Sequence, residues 1–242
     1  PTPAGDRYPT IPIITVETNI ALNSGMMALT HGLASLALAA LATPALSEYA
    51  SPPLLVAAFL GGVAPDLDVV AEHRKSLHFP VGYTLLAGAI GAWFALVPSA
   101  GVLLVATAVG AAALHAWSDV LAGSVEPEPW DPTTERAVYN HALGGWHRPR
   151  RLVRYSGAPE DGLIAIGFTA VALLAPATSP TADAALLWLA VVAGAYVLAR
   201  KRLPALRRRL AALVPARLVA SLPTVRVEET DGGATRVAVQ WH

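Results

Sequence analysis

Histidine and aspartate residues, which can bind metal ions and transfer protons, cluster in one short stretch of this sequence. Residues 61–68 read Gly-Gly-Val-Ala-Pro-Asp-Leu-Asp, and His73, Arg74 and His78 follow within ten residues. Imidazole nitrogens and carboxylate oxygens are ligands for Zn²⁺, Mn²⁺ and Mg²⁺. The chain contains no cysteine, so any metal ion would be held by histidine and carboxylate alone.

A second pair of such residues lies farther along the chain, inside an apolar run. His115 and Asp119 are four residues apart, so on a helix they share one face and can bind one ion, or one can orient the other. Asp66 and Asp68 point to different sides on a helix but to the same side in extended chain. Because Pro65 disfavours helix just before it and the preceding glycines permit a bend, we expect a broken helix end that brings both carboxylates to the site.

The composition indicates that these residues are carried by a membrane protein. Of 242 residues, 54% are apolar and 14% are charged, whereas about 25% of residues are charged in a soluble domain. Crossing the hydrocarbon core takes roughly 17–25 apolar residues. We predict an all-α polytopic membrane helix bundle of about six transmembrane helices, near 27–46, 52–70, 79–97, 101–122, 162–179 and 182–199. Gly82, Gly88 and Gly91 on the third run are expected to allow close helix contact.

The distribution of the 17 Lys and Arg residues supports this layout. They precede the first run or follow the second, fourth and sixth, and the connections 47–51, 98–100 and 177–183 contain none. Short cytoplasmic loops are enriched in basic residues. Six spans with both termini in the cytoplasm place every basic residue on one side, so we predict a multi-pass protein of the inner or plasma membrane, surrounded by the lipid bilayer.

We divide the chain into an N-terminal extension, 1–25, a transmembrane domain that carries the metal site, 26–200, and a cytoplasmic tail, 201–242. The extension shows no periodicity and contains no methionine, whereas Met26 and Met27 are adjacent. We therefore expect the extension to be disordered, with natural translation starting at these methionines.

The tail is predicted to be a cytoplasmic appendage without chemistry. Leucines at helical spacing, with arginines around them, predict a basic amphipathic helix on anionic lipid. Residues 225–228 and 237–241 alternate around Asp231-Gly-Gly and predict a β-hairpin. We find no clear signal for nucleic-acid binding. The leucines of the predicted helix are Leu203, Leu206, Leu210 and Leu213.

With this topology, His, Asp or Glu residues that could bind a metal ion lie at the cytoplasmic ends of four spans. Taken singly, His31 reads as a packed core histidine, and His73 and His78 read as incidental residues of a basic loop. The alternative for Asp66 and Asp68 is a pair of solvated acids at an interfacial helix end. Because all of these residues are predicted at the same depth in the membrane, we favour a single recessed site. The candidate metal ligands are His31, Asp66, Asp68, His73, His78, His115 and Asp119.

The long loop 123–161 also contains His141, His147 and several aromatic residues. Interfacial anchoring accounts for the aromatic residues. Because loops of this length are often functional, the loop could also cover the site.

These residues, in this order, resemble the YdjM-like family of inner-membrane metal-dependent hydrolases. The family pattern is an early His, then Pro-Asp-x-Asp, then His-Arg-Gly-x-Thr-His-Ser, then Ser-His-x-x-x-Asp before a stretch rich in glycine and aromatic residues. The resemblance covers roughly residues 27–162. Departures are Lys75, Leu77, Phe79 and Leu114, where the family has Gly, Thr, Ser and Ser. The matching residues are His31, Pro65, Asp66, Asp68, His73, Arg74, His78, His115 and Asp119, with Gly123 and Trp130 beyond them.

The resemblance implies metal-dependent hydrolysis. Through its His-x-x-x-Asp, the family is similar to zinc-dependent phospholipase C, which suggests a phosphoester substrate at or near the membrane. We expect Zn²⁺, with Mn²⁺ or Mg²⁺ as alternatives. Asp66 or Asp68 would act as general base, whichever lies outside the ligand shell, and Arg74 would hold a phosphate oxygen. The alternative function is a divalent-cation transporter or a metal-sensing membrane protein without hydrolytic activity.

Overall fold

The computed structural model describes residues 25–46, 48–49, 51–125, 130–175, 179–206, 209, 224–229 and 235–240. This part of the chain is mostly helical and divides into two units, one within residues 20–206 and one that contains the C-terminal strands. The helices are α1 (Gly25–Ala42), α2 (Pro52–Val63), α3 (Pro80–Leu96), α4 (Ala100–Ser118), α5 (Pro159–Leu174) and α6 (Pro180–Ala199). The strands are β1 (Tyr139–Asn140), β2 (Gly145–Trp146), β3 (Thr224–Glu229) and β4 (Thr235–Gln240).

Proline residues mark where most of the helices begin. Pro52, Pro80, Pro159 and Pro180 are the first residues of α2, α3, α5 and α6. Proline suits this position because its φ is already helical and the first amide of a helix has no acceptor in any case. This explains why the fifth helix begins at Pro159, three residues before the predicted start, and it ends at Leu174.

The helices pack against one another through small side chains. α1 contacts α2 and α5, α2 contacts α4, α3 contacts α4, and α5 contacts α6. Alanine lets helix backbones approach closely, which is the main source of packing energy where lipid is as apolar as the side chains. The core between α1, α5 and α6 is made of Leu33, Ala37, Ala165, Ala172, Leu186 and Ala193.

Close glycine contacts between helices occur in α1 and α2 and at Gly162 of α5, and the close contacts predicted for Gly88 and Gly91 of α3 were wrong. A Cβ added to Gly61 would lie 2.2 Å from the Ala108 carbonyl oxygen of α4, and one on Gly62 would lie 2.7 Å from the His31 carbonyl oxygen of α1. By contrast, nothing lies within 4 Å of a Cβ added to Gly88 or Gly91. These two glycines face away from the neighbouring helix, and α2 is the helix that is clamped between two others.

Among the described residues, four helical segments are long and apolar enough to cross a membrane, namely Ala28–Leu46, Pro52–Val69, Ala100–Leu121 and Pro180–Leu206. α3 is apolar but has 17 residues, and α5 has 16. Large apolar side chains lie on the outside of the bundle, including Leu96, Leu174 and Leu198, which are each about four-fifths exposed or more. An apolar surface of this extent is typical of a protein that lipid surrounds. The six predicted helices are therefore confirmed, and four of them have membrane length.

The predicted C-terminal hairpin is confirmed. β3 pairs with β4 in antiparallel register, with Val227 opposite Val237. Of the predicted amphipathic helix, Leu203 and Leu206 are described, and Leu210 and Leu213 lie outside the described residues. The N-terminal extension up to residue 24 also lies outside them.

Candidate metal centre

The candidate metal centre lies where the first turns of α1 and α5 meet the last turns of α2 and α4. α2 ends at Val63, and a tight 3-10 segment, Ala64–Val70, carries Asp66 and Asp68 out of the helix. This is the broken helix end that the sequence predicted. Hydrogen bonds hold the helix ends together, since the Thr30 hydroxyl of α1 donates to Asp161 of α5 at 2.6 Å.

Four of the predicted ligands converge so closely that they could hold one metal ion. Asp66, His78, His115 and Asp119 each offer one ligand atom, these atoms lie within 4.8 Å of one another, and all four residues are buried. A second group, Asp66, Asp68 and His73, meets the same distance limit and shares Asp66 with the first. We call these the buried group and the open group.

The distances within the buried group match those of a tetrahedral ion. His78 Nε2 lies 3.2 Å from His115 Nε2, 3.0 Å from Asp119 Oδ2 and 3.7 Å from Asp66 Oδ1. His115 Nε2 lies 3.4 Å from Asp66 Oδ1 and 3.6 Å from Asp119 Oδ2. A tetrahedral ion with bonds of about 2.0–2.2 Å separates its ligand atoms by about 3.3–3.6 Å. The five distances therefore lie within about 0.3 Å of the spacing that such an ion would impose.

Hydrogen bonds to the far side of each ring determine which nitrogen faces the centre. His115 Nδ1 donates to the Gly62 carbonyl oxygen at 2.6 Å, and His78 Nδ1 donates to Asp68 Oδ2 at 2.8 Å. In a neutral imidazole the other nitrogen then has a lone pair and no proton. With both rings neutral, two lone pairs and two carboxylate oxygens would face one another, and a proton or a metal ion among them would relieve that repulsion. Hydrogen bonds of this kind also orient histidine ligands in metal proteins.

The charges of the buried residues favour the same conclusion. Asp66, Asp68, Asp119 and Arg74 are all buried, and three carboxylates with one guanidinium have a formal charge of −2 while the imidazoles are neutral. Leaving such a charge unpaired in a low-dielectric interior costs several kcal/mol per ion. A divalent cation would neutralise it. In addition, Asp66 Oδ2 and Asp119 Oδ2 are buried and accept no hydrogen bond.

The open group lies next to solvent. His73 Nδ1 is 2.9 Å from Asp68 Oδ1 and 3.9 Å from Asp66 Oδ1, and the His73 side chain is 21% exposed. Asp68 also accepts from the Leu77 amide at 3.2 Å. Asp68 therefore connects the two groups, since one oxygen contacts His73 and the other contacts His78.

Arg74 is held in the interior by an unusual backbone conformation. Its φ of +60° is in the left-handed region, which costs a non-glycine residue roughly 1 kcal/mol or more. The conformation turns the guanidinium inward, where one nitrogen lies 3.3 Å from Asp119 Oδ1 and another donates to the Gly123 carbonyl oxygen at 2.8 Å. Because the side chain is only 5% exposed, the Arg74 guanidinium contacts Asp119 and has little contact with solvent.

His31 lies beside the buried group without belonging to it. Its Nε2 is 3.3 Å from Asp119 Oδ1, its Nδ1 is 3.0 Å from the Ser118 hydroxyl, and its ring lies over that of His115 with centroids 3.9 Å apart. His31 therefore lies at the site. It contacts Asp119 Oδ1, the oxygen that faces away from His78 and His115.

The long loop covers the segment that carries His73 and His78. The Tyr139 amide donates to the Arg74 carbonyl oxygen at 3.0 Å, and His141 Nε2 donates to the Lys75 carbonyl oxygen at 2.8 Å. His147 contacts Asn140 and remains outside both groups. These contacts favour the covering role proposed for the loop, while interfacial anchoring by its aromatic residues stays a prediction.

Three contributors to the site escaped the sequence analysis. The Gly62 carbonyl oxygen orients His115, Ser118 contacts His31, and Thr30 binds Asp161. No sequence signal marks a backbone carbonyl as an acceptor. The position of Ser118, one turn after Leu114 on the His115 helix, could have suggested a polar partner.

Comparison of the chain with protein-family profiles, with curated proteins and with solved structures found no match.

Proposed function

We propose that this protein is a membrane-embedded metal-dependent hydrolase that acts on a phosphoester at the membrane surface. The observation that carries the proposal is the convergence of two imidazole nitrogens and two carboxylate oxygens in the buried group. Side chains in this arrangement repel one another unless a proton or a metal ion lies among them.

Zn²⁺ is the ion that best fits the buried group. Two nitrogen and two oxygen ligands at tetrahedral spacing suit Zn²⁺, which has no geometric preference of its own and is held in this way by His and Asp. Mg²⁺ and Mn²⁺ favour six mostly oxygen ligands. Asp68 and Arg74 support the ligands from behind, since they contact His78 and Asp119.

The reaction would take place on the side of the cluster that solvent reaches. A divalent ion lowers the pKa of a bound water toward about 7 and polarises a phosphoryl oxygen. Asp66, Asp68 and His73 line that side, and the carboxylates are the groups that can accept a proton from the attacking water. The water oxygen bonds to phosphorus, the ester oxygen leaves, and this leaving oxygen takes up a proton.

We assign Arg74 to the positioning of Asp119. Its buried guanidinium already binds Asp119 and the Gly123 carbonyl, and this supports a role in orienting the ligand more than the role in phosphate binding that the sequence suggested. The attachment to Gly123 also joins the site to the start of the long loop.

The hydrolase class rests on the resemblance to the YdjM-like pattern, whose residues gather at one site. The phosphoester class follows the same resemblance. The location at the cytoplasmic surface follows from the basic residues, which lie at the end of the bundle where the site is. A substrate at that level would be a lipid or another membrane-proximal phosphoester.

A metal-sensing protein is the competing function. A closed shell of four buried protein ligands is typical of a structural ion, and a sensor would need no more than that. Cation transport is less well supported, because the ligand groups lie at one end of the spans, whereas a pathway needs polar groups through the membrane depth.

The test is elemental analysis of the detergent-purified protein, followed by a screen of phosphomonoesters and phosphodiesters on the zinc-loaded form. We expect bound zinc and hydrolysis in the wild-type protein. We expect His115→Ala to lose the ion of the buried group and at least 90% of the hydrolysis, because it removes a central ligand.

The matched control is His147→Ala, which changes a histidine of the covering loop that belongs to neither group. It should retain zinc and activity. Zinc retained undiminished by His115→Ala would contradict the site, and zinc binding without hydrolysis of any tested phosphoester would favour the sensor.

A further inference from the structure

We propose that the centre holds two divalent ions that share the Asp66 carboxylate, and that the second ion, bound by Asp66, Asp68 and His73, is the one that meets water and substrate. This inference rests on the proposed function. It assigns the chemistry to the open group and a supporting role to the buried group.

The first argument is the number of ligands in the buried group. Four protein ligands complete a tetrahedral shell, whereas catalytic zinc sites keep three protein ligands and one position for water. The His78, His115 and Asp119 side chains are fully buried, and that of Asp66 is 7% exposed. An ion in this shell would have neither a free position nor access to solvent.

The open group has what the buried group lacks. It supplies three ligands instead of four, and the His73 side chain is 21% exposed. Its distances of 2.9 Å and 3.9 Å from His73 Nδ1 to the two carboxylates fit an ion with bonds of about 2.1 Å and six positions, in which ligand atoms stand about 3.0–4.2 Å apart. Such an ion has room for water and for a substrate oxygen.

Asp66 is the residue that connects the two ions. Its Oδ1 lies 3.4 Å from His115 Nε2 in the buried group and 3.9 Å from His73 Nδ1 in the open group. Its Oδ2 is buried without any hydrogen-bond partner. A carboxylate that faces both groups in this way would be shared by the two ions, as in two-metal sites.

The charge balance indicates the class of substrate. The three carboxylates and Arg74 leave a formal charge of −2, so two divalent ions would give the centre a charge of +2. A phosphate ester is an anion that balances this charge, and its oxygens can bind both ions. A neutral ester or amide would not.

The simpler arrangement is a hydrogen bond between Asp68 and His73 without a second ion. In that case the protein binds one ion, and a change at His73 leaves the metal content unaltered. The two arrangements therefore differ in stoichiometry, which can be measured without any substrate.

The experiment loads purified full-length protein with Zn²⁺ and counts ions per chain by elemental analysis after removal of free metal. We expect two ions in the wild-type protein, one in His73→Ala and two in His141→Ala, an exposed loop histidine that is the matched control. Loading with Mn²⁺ should give the electron paramagnetic resonance spectrum of two exchange-coupled ions, replaced in His73→Ala by that of one isolated ion.

One ion in the wild-type protein, or two ions in His73→Ala, would overturn the second site and leave the hydrolase proposal standing. Loss of both ions in His73→Ala, with an unchanged thermal melting profile, would also overturn it, because the open group would not be a separate site. A wild-type protein that binds no ion would refute the proposed function itself.

Discussion

Asp119 illustrates how one buried charge is stabilised by several neighbours. One of its oxygens contacts His31 and Arg74, and the other faces His78 and His115. An isolated carboxylate at this depth would be strongly unfavourable, and pairing with a guanidinium and imidazoles offsets the cost. Because its neighbours come from three separate segments, the position of this single carboxylate depends on the whole helical unit.

Metal affinity should fall as the pH is lowered, and His78 is the residue responsible. Burial opposes its charged form, but the adjacent carboxylates of Asp119 and Asp68 outweigh burial and raise the pKa of His78. The metal-free protein therefore keeps a proton on His78 above the ordinary titration range, and metal must displace it. Below the raised pKa, we expect the affinity to drop by about tenfold per pH unit for each proton displaced.

Calorimetric titration with Zn²⁺ in buffers of different ionisation enthalpy would count the released protons. The metal-free protein should show the opposite trend in stability, because a raised pKa stabilises the fold below about pH 6.5 and the contribution is lost as the pH rises through the raised value. An affinity that does not change between about pH 6 and 8 would contradict the assignment of His78.

At the residue scale, much of the candidate site could be predicted from the sequence. The seven predicted ligands lie near one another. The sequence predicts this because a His-x-x-x-Asp pair inside an apolar run has few roles other than ligand binding, and because helix ends at the same depth in the membrane lie close together. Which of them form which group could not be predicted, since that depends on ring orientation. The Gly62 carbonyl, which orients His115, belongs to the backbone and leaves no mark in the sequence.

Helix α2 is the element whose packing is most sensitive to side-chain size. At Gly61, a Cβ would meet the Ala108 carbonyl oxygen at 2.2 Å and the Ala108 Cα at 2.7 Å. These are backbone atoms and cannot rotate away, so α2 and α4 would have to separate. We expect Gly61→Ala to destabilise the protein by about 1–3 kcal/mol and to lower its metal content, because the 3-10 segment with Asp66 follows directly.

The control for this change is Gly88→Ala in α3, where an added Cβ would meet nothing within 4 Å. Alanine favours a helix over glycine by about 1 kcal/mol, so this variant should melt at the same temperature as wild type or higher. Thermal unfolding of both variants in detergent, followed by circular dichroism, makes the comparison. Equal melting temperatures for the two variants would contradict the close contact of α2 with α4.

At the element scale, the helices were predictable and their contacts were not. Apolar runs and the prolines at helix starts fix where each helix lies, to within a few residues. The glycines of α3 were expected to mediate contacts, but the sequence does not tell which face of an evenly apolar helix meets its neighbour. All faces of such a helix are apolar, and only the packed structure separates protein from lipid.

Across the whole molecule, the ends of the helices differ in charge, and this difference predicts the orientation in the membrane. The end with the metal centre carries Arg74, Lys75 and Arg200, whereas the connection from α1 to α2 contains the exposed Glu48 and no basic residue. Since basic loops remain in the cytoplasm, we expect the metal centre to face the cytoplasm.

The absence of cysteine makes this orientation easy to measure. We expect Glu48→Cys to react with a membrane-impermeant maleimide in intact cells, because this residue should lie outside. We expect Leu143→Cys, which replaces an exposed side chain at the tip of the β1–β2 hairpin, to react only after the cells are permeabilised. The reverse pattern would place the site on the outer surface.

The order in which the ribosome makes these helices sets the moment at which the ion can be acquired. Asp66 and Asp68 are synthesised directly after α2, long before the translocon receives the end of α4 with His115 and Asp119. Until then the buried group has only two of its four ligands, Asp66 and His78. Nascent chains stalled before α4 should therefore lack the ion of the buried group, and loading of this group is expected to be one of the last events of maturation.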